Sequence, residues 1–251
     1  MKAIFISVRT GSTRLPQKAL MNIENKKTIE YLIDRVKESK YAEKIVLCTT
    51  ELDEDAVLCD IAINNNIEYF RGSSPDKLKR WNGACEQFGI DFFVNADGDD
   101  IFFDAGLADL CFEQCRESKN NVDFIDGRGF YNDVYGIKAT ALSEVCQVKS
   151  DVDTEFIRPH FVNPERNFVT AILENVPDKY HKKNIRMTLD YEEDFAFFEA
   201  VIKHFLNTGD KMKFENILTF LESNPDVISL NWFREDAWKE NQRQMIERVV
   251  V

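Results

Sequence analysis

The sequence predicts an α/β fold built on a doubly wound, mostly parallel sheet. Three apolar runs, at residues 3–6, 44–49 and 91–95, are typical of strands that are buried on both faces. Segments with apolar residues at helical spacing separate these runs, the first of them at residues 29–36. Because strands alternate with helices along the chain, consecutive strands are expected to run parallel, with helices on both faces. The prediction is therefore a Rossmann-like domain.

The first predicted strand leads into a loop rich in positive charge, SVRTGSTRLPQKAL at residues 7–20, called the cationic loop below. Its small residues are interrupted by Arg9, Arg14 and Lys18. Gly11 permits backbone angles that other residues avoid, so successive N–H groups can point into one concavity. Cations around such a concavity suit a polyphosphate, because charge-assisted hydrogen bonds to phosphate oxygens are strong. The alternative is a plain basic surface loop, since the segment matches neither the Walker A motif nor GxGxxG.

The third predicted strand ends in the acidic segment NADGDD, residues 95–100. Asp97 and Asp99 would point to the same side if the strand continued, and Gly98 would let a phosphate approach the backbone. Carboxylates crowded beside a buried strand repel one another unless a counter-ion binds, which favours a magnesium ion. The alternative is an acidic turn without a metal.

The two polar segments are expected to meet. Ligands of doubly wound sheets bind in a crevice outside the carboxyl ends of the strands. Arg9, Thr49 and Asp97 each lie at such an end of a predicted strand. We therefore expect these three residues to share one crevice.

The remaining elements follow from the same periodicities and from helix and strand breakers. Helices are predicted from an N-cap at Asp53, from Ser74 to Phe88, after Asp104, within residues 151–159 before Pro159, and around residues 195–205 and 214–221. Strands are predicted at residues 67–70, 122–125, 168–173 and 185–189, with a loop and strand over the site at residues 127–137. Trp232 and Trp238 are expected to dock the last segment on the body.

The composition bounds the function class. A formal net charge of −12 disfavours nucleic acid and anionic membrane surfaces as partners. No apolar run approaches the roughly 18 residues needed for a membrane span, and the first residues do not make a secretory signal. The six cysteines form no CxxC pair and are expected as reduced thiols of a cytoplasmic protein. The three histidines are scattered, so no metal site or catalytic triad built on histidine is predicted.

The cationic loop resembles the N-terminal signature of the sugar-activating cytidylyltransferases, Ala-Arg-x-x-Ser-x-Arg-Leu-Pro-x-Lys. This family includes the 3-deoxy-manno-octulosonate (Kdo) and acylneuraminate cytidylyltransferases and the spore-coat polysaccharide cytidylyltransferase-like proteins. The matching positions are Arg9, Ser12, Arg14, Leu15, Pro16 and Lys18. Val8 stands where alanine is usual, and Gln17 where glycine is usual. The resemblance implies a sheet of the nucleotide-diphospho-sugar transferase type.

The acidic segment is similar to a second motif of this family. Gly98–Asp99 matches the Gly-Asp whose aspartate holds magnesium, and Asp104 matches an acidic residue that follows in members of the spore-coat type. This chain has Ile101 where a proline is usual, and it adds Asp97 and Asp100. These departures concern the sugar side of the site.

Two further segments resemble motifs of the same family. RMTLDYEED, residues 186–194, is similar to Arg-x-Thr-x-Asp-x-x-Glu-Asp, which makes Asp190 the implied second magnesium ligand. A helix N-cap is the other interpretation of Asp190. FRGSSPDKLKR, residues 70–80, is similar to Phe-Arg-Gly-Ser-x-x-Asp-x-Leu-x-Arg and implies a nucleotide contact for Arg71.

The acceptor side carries a looser resemblance. FIRPH, with Arg158 and His160, is similar to the segment near the acceptor in spore-coat-type members, and Tyr131 and Tyr135 lie in the loop expected over the site. The chain is interpreted as one nucleotidyltransferase domain, residues 1–251, in which residues about 127–185 form a small lobe for acceptor binding and dimerisation. The family implies a homodimer.

The resemblance as a whole implies a magnesium-dependent transfer of CMP from CTP to a sugar acid, a nonulosonate or Kdo-like compound, with release of pyrophosphate, for surface polysaccharide or glycoconjugate synthesis. The implied catalytic residues are Lys18, Arg9 and Asp99, and the implied magnesium ligands are Asp99 and Asp190. The nucleotide-binding residues are then Arg9, Gly11, Ser12, Arg14, Lys18, Thr49, Arg71 and Asp97. Two alternatives stay open: a glycosyltransferase that uses Asp97-Gly98-Asp99 on a nucleotide-sugar diphosphate, and a non-catalytic nucleotide-binding module.

Overall fold

The computed structural model describes residues 1–149, 154, 156–181 and 184–249, and it confirms the α/β class. The strands are β1 (Lys2–Ser7), β2 (Asn22–Ile23), β3 (Lys26–Lys27), β4 (Lys44–Thr50), β5 (Glu68–Gly72), β6 (Phe92–Asp97), β7 (Phe124–Gly127), β8 (Val134–Lys138) and β9 (Thr170–Ile172). The α-helices are α1 (Thr28–Val36), α2 (Ala56–Asn64), α3 (Lys77–Phe88), α4 (Ala105–Glu117), α5 (Ala139–Val148), α6 (Arg158–Phe161), α7 (Glu192–Thr208), α8 (Phe214–Ser223), α9 (Pro225–Ser229) and α10 (Glu235–Val249). Single 3₁₀ turns lie at Lys18–Leu20, Asp53–Asp55, Pro164–Arg166, Asp178–Tyr180 and Trp232–Arg234.

A seven-stranded sheet in the order β5-β4-β1-β6-β8-β7-β9 forms the centre of the molecule. β1 pairs in parallel with β4 and β6, whereas β8 runs antiparallel to both β6 and β7. The last residue of β1, Ser7, lies opposite Cys48 on one side and Asp97 on the other. The cationic loop and the acidic segment therefore leave adjacent strands at the same edge of the sheet.

Two apolar layers cover this sheet, one on each face. Ile4 and Ile6 of β1 face the layer that contains α1, α2 and α4. Ala3 and Phe5 face the layer that contains α3 and α5, and the Phe5 ring stacks on Phe93 with centroids 4.3 Å apart. Alternate residues of one strand thus enter opposite layers, which explains the continuous apolar run that predicted a strand buried on both faces.

A third apolar cluster joins α7 and α8 to the sheet domain. Phe102, which follows the acidic segment, packs edge-on against Phe198 of α7 at 4.7 Å between centroids. Tyr131 from the β7–β8 connection enters the same cluster and contacts Phe214 of α8. The C-terminal helices are therefore packed against the edge of the sheet where the polar segments lie.

Two predicted elements are wrong. α6 begins at Arg158 and contains Pro159 in its first turn, so the helix does not end before Pro159. Proline is tolerated there because N–H groups of the first turn make no hydrogen bond within the helix. Residues 151–153 and 155 of that predicted helix lie outside the described residues. Residues 185–189 form no strand; instead the Leu189 N–H donates to the Asp99 carbonyl at 3.0 Å.

Two helices begin later than predicted. α3 begins at Lys77 with Asp76 as its N-cap, whose carboxylate accepts the Lys79 N–H at 2.9 Å, so Ser74 is not the cap. Asp53 opens a 3₁₀ turn that precedes α2. The lobe predicted at residues 127–185 contributes β8 and β9 to the central sheet.

Within the described part of the chain, no helix combines the length and the apolar character that crossing a membrane requires.

Candidate active site

The cationic loop is tied to the start of α2 by a buried carboxylate. The N–H and the hydroxyl of Thr10 both donate to Asp55 Oδ1, each at 2.7 Å, and the Thr50 hydroxyl donates to the other oxygen. Gly11 was predicted to supply the unusual backbone angles, but the left-handed residue of this loop is Gln17, with φ 57°. The loop shape is therefore fixed by Asp55 and by the turn at Gln17.

Gly98 brings the ends of β1 and β6 into contact. Its N–H donates to the Ser7 carbonyl at 2.8 Å, and a Cβ atom on Gly98 would lie 2.8 Å from Val8 Cβ. The sequence prediction was that this glycine makes room for a phosphate. The structure shows a different reason, because the crowding comes from β1.

Lys18 joins the cationic loop to both implied magnesium ligands. Its Nζ donates to Asp99 Oδ2 at 2.7 Å, to Asp190 Oδ1 at 3.0 Å and to the Leu189 carbonyl at 2.7 Å. Burial alone would lower the pKa of Lys18, but the charges of Asp99 and Asp190 raise it above the ordinary value. The side chain therefore remains an ammonium ion held between two carboxylates.

Asp190 is paired with three positively charged side chains. Besides Lys18, it accepts from Arg14 Nη2 at 2.6 Å and from Arg186 Nη2 at 3.2 Å. Burial would raise the pKa of Asp190, and the charges of Lys18 and Arg14 overcome this effect and hold it at about 2. Its carboxylate stays ionised, as a ligand for a cation or a partner for the loop must.

The acidic segment leaves the strand in a turn. β6 ends at Asp97, and the Asp100 N–H donates back to the Asp97 carbonyl at 3.0 Å, so Asp97 and Asp99 do not alternate along a continuing strand. Asp97 receives Lys77 Nζ at 2.5 Å, and Asp99 receives Lys18. The predicted repulsion between these acids is thus offset by lysine side chains.

Asp99 and Asp190 suit a magnesium ion. Both carboxylates reach a single Lys18 nitrogen within 3.0 Å, so they converge on one point that already holds a positive charge. Among the described residues no group of three or more His, Cys, Asp or Glu could hold a metal. A pair of carboxylates is what Mg²⁺ uses when water and substrate phosphates complete its ligands. The donor set therefore fits magnesium bound together with a nucleotide.

These groups open into one cavity of about 760 Å³. Nine of the residues predicted for the site line it: Arg9, Gly11, Ser12, Arg14, Lys18, Asp97, Asp99, Tyr131 and Asp190. The cationic loop, the acidic segment and the segment around Asp190 come from distant parts of the sequence. The structure brings all three to the same cavity.

Two predicted nucleotide residues lie elsewhere. Thr49 is fully buried, and its hydroxyl has no hydrogen-bond partner among the described residues. The Arg71 guanidinium donates to three carbonyls at the end of β4 and just after it, those of Thr50, Glu51 and Leu52. Neither side chain lines the cavity, so the expectation that Thr49 shares the crevice with Arg9 and Asp97 is wrong.

Three of the four predicted acceptor residues also lie away from the cavity lining. The Tyr135 ring stacks on Phe124 at 5.3 Å, and burial raises the pKa of its phenol. Arg158 Nε donates to Asp126 at 2.9 Å, and His160 is buried in α6. Tyr131 is the one of these four that reaches the cavity.

Sequence reasoning missed two parts of the lining. One part is Lys77 and Arg80, which lie in the matched segment 70–80; the Arg80 side chain is buried and donates to the Ser73 carbonyl at 2.7 Å. The other part is α10, whose lining residues are Glu235, Trp238, Asn241 and Gln242. No motif or periodicity marks that helix as part of a site.

Comparisons with known proteins bear on the family of this chain and on its fold. A family model described as Cytidylyltransferase matches residues 3–197. An uncharacterized protein of Methanocaldococcus jannaschii is 29% identical over 249 residues, which cover 96% of this chain and 99% of that protein. The spore coat polysaccharide biosynthesis protein SpsF of Bacillus subtilis is 25% identical over 236 residues, covering 89% and 95%. A solved cytidylyltransferase from Leptospira borgpetersenii has a TM-score of 0.81 at 25% identity and covers 90% of this chain and 96% of that one.

Proposed function

Because the chain belongs to the cytidylyltransferase family, we propose that it is a magnesium-dependent enzyme that transfers CMP from CTP to a sugar acid and releases pyrophosphate. The observation that carries the proposal is the convergence of Lys18 on Asp99 and Asp190 inside the cavity lined by the cationic loop. The cationic side chains that would bind a triphosphate are then adjacent, in one cavity, to the carboxylates that would bind a metal ion.

In this proposal the cationic loop binds the triphosphate. Arg9 and Ser12 line the cavity, and Arg14 and Lys18 already donate to carboxylates there, so all four can donate to phosphate oxygens instead. Donors placed in advance around the leaving group stabilise the charge that grows on pyrophosphate. Asp55 acts indirectly, since it fixes the loop through Thr10.

Asp99 and Asp190 are the residues that would hold Mg²⁺. When bound, the ion would polarise the α-phosphate and lower the pKa of the attacking hydroxyl. Arg186 keeps Asp190 in place, because its guanidinium also binds Asp194 at 2.8 Å. Lys18 balances the two carboxylates when they have no other cation.

The acceptor hydroxyl attacks the α-phosphorus in line in this scheme. A new oxygen–phosphorus bond forms, the bond to pyrophosphate breaks, and the hydroxyl proton is released. The protein takes no part in covalent chemistry; it positions the two substrates and offsets their charge. Tyr131, at the cavity, is the predicted acceptor residue that remains in this role.

The similarity to SpsF, a protein named for polysaccharide biosynthesis, supports a sugar as acceptor. The choice of a sugar acid, the cytosine base and a homodimer follow from the family resemblance.

The six free cysteines, five of them buried, support a cytoplasmic location, where thiols stay reduced. Light scattering of the purified protein tests the homodimer.

A pyrophosphate-release screen tests the function. The four ribonucleoside triphosphates are combined with acidic sugars, among them Kdo and N-acetylneuraminate, in the presence of Mg²⁺. We expect release with CTP and one class of sugar acid. A parallel assay supplies nucleotide sugars as donors, and their consumption without pyrophosphate release would instead identify a glycosyltransferase. Calorimetric CTP binding without turnover would identify a non-catalytic module.

A further inference from the structure

The C-terminal helix α10 forms one wall of the cavity. Trp238, Asn241 and Gln242 line it from this helix, together with Glu235 at the helix start. The family model ends at residue 197, so this wall is added to the part of the chain that carries the family's motifs. We therefore expect this wall to carry properties that are particular to this chain and its full-length relatives.

The wall is held firmly against the segment that carries Asp190. Glu235 is buried and accepts from Arg186 Nη1 at 3.4 Å, while Arg186 also binds Asp190. Asn231, just before α10, donates to Asp194 Oδ1 at 2.9 Å. These buried contacts fix the start of α10 relative to the implied metal ligands, so the side chains one and two turns further on are fixed as well.

The chemistry of the wall differs from that of the cationic loop. Trp238 presents a half-buried indole, with the Arg186 guanidinium 5.5 Å from the ring centroid, and Asn241 and Gln242 present neutral amides. A polyphosphate is best bound by charged donors. An aromatic surface beside amides suits instead a neutral ring with an apolar face and hydroxyl groups at its rim.

Arg14 connects the wall to the reacting centre. Its Nη1 donates to Asn241 Oδ1 at 3.0 Å and its Nη2 to Asp190 at 2.6 Å. Its buried Nε has no hydrogen-bond partner among the described residues. Asn241 is therefore linked through one side chain to the carboxylate that is proposed to hold the metal, and Trp238 approaches the same carboxylate through Arg186. A ring bound at this wall would lie beside the proposed reacting centre, as an acceptor must.

We propose that Trp238, Asn241 and Gln242 form the subsite for the ring of the acceptor sugar, and that they determine which sugar acid is used. This inference rests on the proposed function, because it takes the cationic loop as the triphosphate site. The same wall would otherwise be available to the cytidine ring, and the experiment separates these two occupants.

The test measures binding and needs no turnover. The protein is saturated with Mg²⁺ and a CTP analogue that carries a methylene group between the α- and β-phosphorus atoms, and is titrated with Kdo and with N-acetylneuraminate by calorimetry. We expect Trp238→Ala to weaken binding of the preferred sugar about tenfold or more, the scale of losing one aromatic contact with its buried area. Trp238→Phe should retain most of the affinity, and Gln242→Ala should weaken it several-fold.

Affinity for the CTP analogue alone should change less than twofold in the same variants. Two controls lie on the same segment but outside the cavity lining: Trp232→Ala, and Arg243→Gln, whose side chain is 70% exposed and faces Glu240. Both should bind the sugar as the wild type does. Intrinsic fluorescence gives a second readout, since the sugar should change the emission of the wild type but not that of Trp238→Phe.

The inference is overturned if Trp238→Ala binds the sugar normally, if it loses affinity for the CTP analogue instead, or if neither sugar binds the wild-type complex. Failure of the proposed function has a different signature, which is sugar binding that depends on Trp238 without any release of pyrophosphate from CTP.

Discussion

The ammonium nitrogen of Lys18 and a carboxylate oxygen of Asp99 lie 2.7 Å apart, although 81 positions separate them in the sequence. Lys18 follows β1 and Asp99 follows the neighbouring β6, so parallel pairing of these strands brings the two residues to the same edge. The same nitrogen contacts Asp190, which precedes α7. Lys18, Asp99 and Asp190 therefore meet at one point, although they come from three distant parts of the chain.

Lys18→Ala should lower the rate of pyrophosphate release from CTP at least ~100-fold, the scale of losing one preorganised charge contact to a developing negative charge. The control is Lys26→Ala, a surface lysine paired with Asp34, whose side chains are 49% and 47% exposed. A near-normal rate in Lys18→Ala would contradict the role assigned to it.

Asp99→Asn keeps the shape of the side chain but removes its charge. We expect a loss of turnover of at least ~100-fold, because an amide is a poor ligand for Mg²⁺ in place of a carboxylate. The matched control is Asp34→Asn on the surface, and circular dichroism checks that both variants are folded. Full activity of Asp99→Asn at saturating Mg²⁺ would remove this residue from the metal site.

Lys18→Met should increase the affinity for free divalent metal. In the structure Lys18 Nζ lies 2.7 Å from Asp99 and 3.0 Å from Asp190, so a metal ion must displace this positive charge, at a cost on the order of a few kcal/mol. Titration with Mn²⁺, followed by electron paramagnetic resonance without nucleotide, should show binding at least ~10-fold tighter than in the wild type. Lys77→Met, which frees Asp97, is the comparison variant and should change the affinity much less. Equal affinity in Lys18→Met and the wild type would show that the lysine and the metal do not share a site.

Asp104→Asn should gain stability relative to the wild type as the pH rises. Burial raises the pKa of Asp104 above its ordinary value, partly offset by the Gly106 N–H at 2.6 Å. The folded wild-type protein therefore binds a proton at Asp104 more tightly than the unfolded chain does. This stabilises the folded state fully below the unfolded pKa of about 4, and the stabilisation is lost as the pH rises through the higher folded pKa. Asn does not titrate and remains a good N-cap for α4.

Urea denaturation of Asp104→Asn and wild type at pH 4 and pH 7 measures this difference in the free energy of unfolding. A larger advantage of the variant at pH 4 than at pH 7 would reverse the expected sign. Turnover should stay within twofold of the wild type, because Asp104 caps a helix outside the cavity lining, whatever its match in the family motif suggests.

Gly98→Ala should lower the free energy of unfolding by about 1–3 kcal/mol, the usual effect of overpacking. The added methyl group would lie 2.8 Å from Val8 Cβ and 3.0 Å from the Ser7 carbonyl oxygen, neither of which can move without shifting β1. Gly11→Ala is the control for stability, because its methyl group would meet only the flexible end of Glu54, at 3.2 Å. Urea titration measures both, and equal stability would show that the strand ends are less rigid than described.

Much of the fold follows from local pattern. Continuous apolar runs predicted β1, β4 and β6, because each strand is buried on both faces. Residues 185–189 also have a strand-like pattern, with apolar and polar residues in alternation, yet among the described residues their backbone pairs with no strand and Leu189 bonds to the exit of β6. Pairing depends on distant segments, and local hydrophobicity does not contain that information.

The site was predicted where charge and spacing coincide in a short segment, as in the cationic loop and the acidic segment. Thr49 shows the limit of this reasoning: its position at a strand end gives the correct edge, but its side chain points into the protein interior. Trp238 shows another limit, because an aromatic residue on a helix usually belongs to a core, and only tertiary packing turns this one toward the cavity.

The reversed direction of β8 has a consequence for how such a molecule can diversify. Since β7 and β8 form a hairpin, the chain returns to the substrate edge through the short connection at residues 128–133, without a helical crossover. Phe130 and Tyr131 of this connection are buried in apolar clusters, whereas Arg128 and Gly129 at its start are exposed. Under the proposed function, replacements at these exposed positions can therefore change the surface beside the acceptor, in addition to the α10 wall, while the parallel pairing of β1, β4 and β6 stays the same.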